Sequence, residues 1–121
     1  SYTTFALSNL RASSSSMNQD GRITFIVTVK NTGKRAGAET VQLYIHDVKS
    51  SVDRPYKELK GFQKVSLQPG ESRDVAITID RDALSFYDET TSSWKAEAGK
   101  FEALVGNASD NLRLRKSFTL E

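Results

Sequence analysis

The chain holds 121 residues, 26% of them charged, with a formal net charge of +2 and no cysteine. That length suits one domain, able to bury roughly two-thirds of the surface its unfolded form exposes. The charge falls well short of a nucleic-acid binder, and the lack of thiols excludes a disulfide framework and a thiolate metal site.

No apolar run approaches the roughly 18 residues of a membrane span, so no membrane partner is expected. The chain opens on Ser1-Tyr2-Thr3-Thr4-Phe5, without an initiating Met and without the basic and apolar regions of a signal peptide. This start suggests a piece of a longer protein.

Residues 1–12 read as a lead-in segment with a candidate first strand at Phe5 to Ala12, carrying Phe5, Leu7 and Leu10 in imperfect alternation. The serines at 13–16 read as a loop and Asp20-Gly21 as a turn. Ile23 to Asn31 is the clearest strand, with Ile23, Phe25, Val27 and Val29 on one face. Asn31-Thr32-Gly33 ends it with turn chemistry. Glu39 to Asp47 alternates again, turning Val41, Leu43 and Ile45 inward and Gln42, Tyr44 and His46 outward.

A polar loop from Lys49 to Lys57 contains Arg54-Pro55, where the proline removes a donor and holds the preceding residue extended. Leu59 to Leu67 resumes strand character, with Leu59, Phe62, Val65 and Leu67 read as core and Gly61 as the site of a bulge. Gln68-Pro69-Gly70 closes it as a type II turn. Ser72 to Asp80 alternates through Val75, Ile77 and Ile79, and Arg81 to Leu84 fits one helical turn. Asp88 to Ser93 reads as a hairpin tip, and Gly99 to Val105 and Leu112 to Leu120 complete the strands.

Short strands separated by turn signals, with no sustained helical period, predict an all-β fold. The expected architecture is a fibronectin type III or immunoglobulin-like antiparallel β-sandwich of seven to nine strands. Residues 13–121 form the body of this single domain. Without the Cys, Trp, Cys hallmark of antibody domains, the fibronectin-like variant is favoured.

The residues that carry chemistry elsewhere are poorly arranged for it here. Asp80, Asp82, Asp88 and Glu89 crowd one loop region, whereas a glycosidase needs two carboxylates flanking a sugar. His46 is the only histidine, and no nucleophile motif accompanies it. Asp80-Arg81-Asp82 resembles a calcium-loop fragment without the later glycine and glutamate. No cofactor or metal is expected. Asn107-Ala108-Ser109 is a glycosylation sequon that places Asn107 in an exposed turn. Lys49 to Lys64 is basic and Glu71 to Thr91 acidic, read as solvated faces of opposite sign.

Four aromatics, Tyr44, Tyr56, Tyr87 and Trp94, look outward or sit in loops. They suit either a stacking platform for sugar rings or packing against a neighbouring domain. Their separation in sequence favours packing.

Five runs carry a family resemblance: Val41-Gln42-Leu43-Tyr44; Arg54-Pro55 with Lys57-Glu58-Leu59-Lys60-Gly61-Phe62; Pro69-Gly70-Glu71-Ser72; Leu84-Ser85-Phe86-Tyr87-Asp88; and Gly99-Lys100-Phe101-Glu102. In this order they resemble the fibronectin type III-like C-terminal domain of family 3 glycoside hydrolases, β-glucosidases in particular. The resemblance implies a non-catalytic accessory domain, because the family's nucleophilic Asp lies in a (β/α)8 barrel and its acid/base outside this module. The implied partners are the other domains of a parent enzyme, itself expected to be secreted or periplasmic. The alternative is a module that tethers the enzyme to a polysaccharide or lignin surface through Tyr44, Tyr56, Tyr87 or Trp94.

The central run then divides into two jobs. Leu59, Gly61 and Phe62 are expected to anchor the strand, and Arg54, Pro55, Tyr56, Lys57 and Glu58 to dock on a neighbouring catalytic domain.

Overall fold

Residues 2–121, the part of the chain that the computed structural model describes, form ten strands and one 3-10 turn. In order these are β1 (Phe5–Ala12), β2 (Ser16–Met17), β3 (Arg22–Asn31), β4 (Gly37–Asp47), β5 (Glu58–Leu67), β6 (Ser72–Asp80), the 3-10 turn (Arg81–Leu84), β7 (Phe86–Asp88), β8 (Ser93–Lys95), β9 (Gly99–Gly106) and β10 (Leu114–Leu120). One sheet runs β1-β3-β6, a second β2-β10-β9-β4-β5, and β7 with β8 makes a separate two-stranded ribbon. All pairings are antiparallel except β2 with β10. The expected sandwich is therefore present, with the ribbon and the two-residue β2 added to it.

The core follows from alternation. Ile23, Phe25, Val27 and Val29 of β3 face Val41, Leu43 and Ile45 of β4 and Phe101, Ala103 and Val105 of β9, all buried. Phe118 of β10 sits among the aromatics, 5.3 Å edge-to-face from Phe25 and 5.7 Å from Phe101. Each of the valine, leucine, isoleucine and phenylalanine side chains contributes roughly 1.5–3 kcal/mol through its removal from water.

β1 alternates imperfectly because its register against β3 shifts between Ser8 and Arg11, where Asn9 adopts a φ of 55°. Ser16, read as loop, pairs instead with Thr119 through β2. Gly70 takes a φ of 78°, as the type II turn requires.

β5 differs most from its sequence reading. Val65 and Leu67 are buried, but Leu59 is 49% and Phe62 is 67% exposed, so neither anchors the core. Two geometric facts cause this. Phe62 is an odd number of steps from Val65 and so points to the opposite face. Leu59 has the right parity, but a bulge intervenes: Leu43 pairs with Gly61 and Tyr44 with Leu59, leaving Lys60 as the extra residue that turns Leu59 over. Gly61 flanks the bulge as expected, and a Cβ there would lie 2.7 Å from Ile77 Cγ2 on the facing sheet. Its lack of a side chain lets β5 approach β6.

Candidate functional site

The Arg54 to Phe62 run straddles the end of the five-stranded sheet. The extended backbone imposed before Pro55 sends the Arg54 side chain inward, between the end of β4 and the segment that joins the 3-10 turn to β7. There it is 92% buried, with only 8% of the side chain exposed. Its Nη2 lies 3.0 Å and its Nε 3.1 Å from Glu58 Oε2, and its Nη1 lies 3.6 Å from Asp47 Oδ2. Arg54 also donates to the carbonyls of Leu84 and Ser85 at 3.2 and 3.4 Å and lies 5.5 Å over the Phe86 ring. Lys60 closes the group at 3.4 Å from Glu58 Oε1. The planar guanidinium suits this role because its donors are fixed in a fork that reaches carboxylates and carbonyls together.

Asp47 Oδ2 is buried without a hydrogen bond and depends on Arg54 for its compensating charge. Arg54 and Glu58 thus direct their polar groups to this domain itself, joining the 48–57 loop to the 3-10 turn and the ribbon.

Tyr56 and Lys57 lie on the other side of the sheet, whereas Pro55 stands beside Arg54 at the groove next to the ribbon. Tyr56 is exposed and stacks on His46, with ring centroids 4.1 Å apart and planes at 23°. His46 Nδ1 donates to the Tyr56 carbonyl at 2.6 Å, which gives the lone histidine a structural task. Lys57 donates to the Ser109 carbonyl and holds its Nζ 5.6 Å over the Tyr44 ring. Tyr44 is half-buried and donates to Gln42 at 2.9 Å. Opposite Tyr44 and Gln42 on β5 stand Leu59 and Phe62. Residues paired across strands share a face, so Tyr44, Leu59 and Phe62 form one outward apolar strip with Tyr56 beside it.

Tyr87 and Trp94 belong to a different element. They face each other across the β7–β8 ribbon, 5.5 Å apart with planes at 76°. The four candidate aromatics therefore form two clusters, Tyr44 with Tyr56 on the sheet and Tyr87 with Trp94 on the ribbon.

The acidic residues have local duties. Asp80 accepts from the amide of Asp82 and caps the 3-10 turn. Asp88 accepts from the hydroxyl and then the amide of Thr90, at 2.6 and 3.0 Å, which hold its carboxyl below the usual range. Among the described residues no group of three or more His, Cys, Asp and Glu side chains is gathered for a metal ion. Asn107 is half-buried rather than freely exposed, and its amide nitrogen donates to Glu39 at 3.1 Å.

Two junctions have no obvious signal in the sequence. Ser51 gives both its amide and its hydroxyl to Glu97, which tethers the 48–57 loop to the segment after β8. Asn31 is fully buried: it donates to the carbonyls of Arg35 and Leu67 and accepts from Thr3 and the Gly33 amide.

Comparison with known proteins accounts for this organisation. A fibronectin type III-like domain model matches residues 39–109. The chain is 50% identical over 113 residues to β-glucosidase BoGH3A of Bacteroides ovatus, which covers 93% of this chain and 15% of that protein. It is 47% identical over 106 residues to the periplasmic β-glucosidase of Salmonella typhimurium, covering 88% of this chain and 14% of the relative. The crystal structure of a family 3 β-glucosidase of Bifidobacterium adolescentis superposes with a TM-score of 0.90 at 34% identity, over 98% of this chain and 17% of that one. The chain thus spans about one-sixth of these relatives. It belongs to the fibronectin type III-like domains and is homologous to the C-terminal region of family 3 β-glucosidases.

Proposed function

We propose that this chain is a non-catalytic domain that packs against the catalytic domains of a larger family 3 β-glucosidase and stabilises them. The outward strip of Leu59, Phe62 and Tyr44 carries the reading. An exposed phenylalanine and leucine side by side on a sheet face mark a surface that is covered in the assembled protein. Tyr56 and Lys57 extend that surface, while Arg54 and Glu58 fix the loop that presents them. The parent is secreted or periplasmic, a placement supported by the periplasmic relative.

A polysaccharide or lignin tether would call for aromatic faces presented together. The Tyr87–Trp94 pair is edge-to-face and Tyr44 is half-buried, which favours packing. Deleting the domain from the parent enzyme should lower both its melting temperature and its turnover of an aryl glucoside. A parent that loses the domain with both unchanged would sink the packing role. Retention of the isolated chain on insoluble cellulose, xylan or lignin that disappears on Trp94→Ala or Tyr56→Ala would replace packing by tethering.

A further inference from the structure

Between the 48–57 loop and the ribbon runs a groove of about 590 Å³, separate from the outward strip. Its lining carries four carboxylates, Asp53, Glu58, Asp88 and Glu89, against two cations, Arg54 and Lys60. The lining is acidic in a chain whose own net charge is +2. Both cations are engaged inside the domain, Arg54 with Asp47 and Glu58, and Lys60 with Glu58. Among the described residues no ion pair reaches Asp53, Asp88 or Glu89. Lys95, across the ribbon from Phe86, attracts the Asp88 carboxylate without pairing with it.

Trp94, 72% exposed, and Tyr87, 49% exposed, stand at this groove. The face of an aromatic ring is negative, so it attracts a cation, and tryptophan does so best. Unpaired carboxylates beside such rings add Coulombic attraction and, for a guanidinium, paired hydrogen bonds. A neutral sugar could donate hydroxyls to the carboxylates but carries no net charge for them to attract, and an anion would be repelled.

We propose that this groove seats an arginine-bearing segment of the parent polypeptide outside this domain. The inference rests on the packing reading above and names the chemistry of one partner. About five-sixths of the relatives' length lies outside the matched region and is available to supply it.

Trp94 is the only tryptophan, so its emission reports directly on the groove. The chain is titrated with a capped hexapeptide of alternating glycine and arginine, with its glycine–glutamate counterpart, and with cellohexaose. The arginine peptide should change the emission saturably, and added salt should weaken its binding. Asp53→Asn combined with Glu89→Gln should raise its Kd about tenfold, and Phe62→Ser should leave it unchanged. An equal response to the glutamate peptide, a response to cellohexaose instead, undiminished binding in the double variant, or no response to the arginine peptide would each overturn the proposal. If the groove fails this test while loss of Leu59 and Phe62 still destabilises the parent, the packing role stands without the arginine seat.

Discussion

Arg54 is the residue on which the end of the sandwich depends. Desolvating a guanidinium and two carboxylates is costly, and their attraction offsets the cost only while the group is complete. Arg54→Ala would leave Asp47 Oδ2, already without a hydrogen bond, and Glu58 partly buried with no guanidinium. The expected loss is about 3–5 kcal/mol of unfolding free energy, read by urea denaturation of this chain. Arg54→Lys should recover only part of it, because one ammonium cannot reach Glu58 and the carbonyls of Leu84 and Ser85 together. Equal stability of the alanine variant would show that the loop is held by other contacts. A basic residue before proline in a polar loop reads as surface in the sequence, since its partners Asp47, Leu84 and Ser85 come from separate segments. Asn31 was hidden in the same way. Asn-Thr-Gly is ordinary turn chemistry, and only the fold brings Leu67 and Thr3 to its amide.

At the scale of elements, Arg54 and Ser51 both fasten the loop between β4 and β5 on its ribbon side, to the Leu84 and Ser85 carbonyls and to Glu97. The second has a pH signature. The Ser51 hydroxyl and then its amide hold the Glu97 carboxyl below its ordinary value, against a smaller opposing effect of desolvation. A carboxyl lowered in the folded state stabilises fully above its unfolded value near 4.5, and that stabilisation is lost as pH falls through the lower folded value. Glu97→Gln should therefore melt below the parent chain at pH 6, and the gap should close as the pH falls below that range. A gap that is constant with pH would mean that the carboxylate charge is irrelevant to the tether. The long strands were legible because their alternation is long: β3, β4, β6 and β9 follow from period two alone. Leu59 was not, because one extra residue at Lys60 reverses every side chain before it. Nor was β2, whose two residues leave no period to read.

For the whole molecule, the two outer faces of the sandwich differ in kind. The face of β3 and β6 satisfies itself: Thr24 and Thr78 hydroxyls meet at 2.7 Å, Thr28 donates to Asp74 at 2.8 Å, and Arg11 pairs with Asp74 at 2.6 Å. The face of β4 and β5 instead presents Leu59 and Phe62 to solvent, at a cost in apolar hydration that the domain alone does not recover. The family resemblance implies packing partners, but not which face meets them, because the faces are distinguished by parity and by the bulge. Leu59→Ser with Phe62→Ser should shift the urea midpoint of the isolated chain little, since exposed substitutions usually change stability by within about 0.5 kcal/mol. In the parent the same pair should lower the melting temperature, because each lost side chain forfeits up to roughly 1.5–3 kcal/mol of burial against the neighbouring domain. Thr24→Ala with Thr78→Ala, on the opposite face, is the control: its effect should be the same in the isolated chain and in the parent. If the serine pair leaves the parent's melting unchanged while the threonine pair lowers it beyond its effect on the isolated chain, the packing face is that of β3 and β6, and the apolar strip of β5 has another purpose.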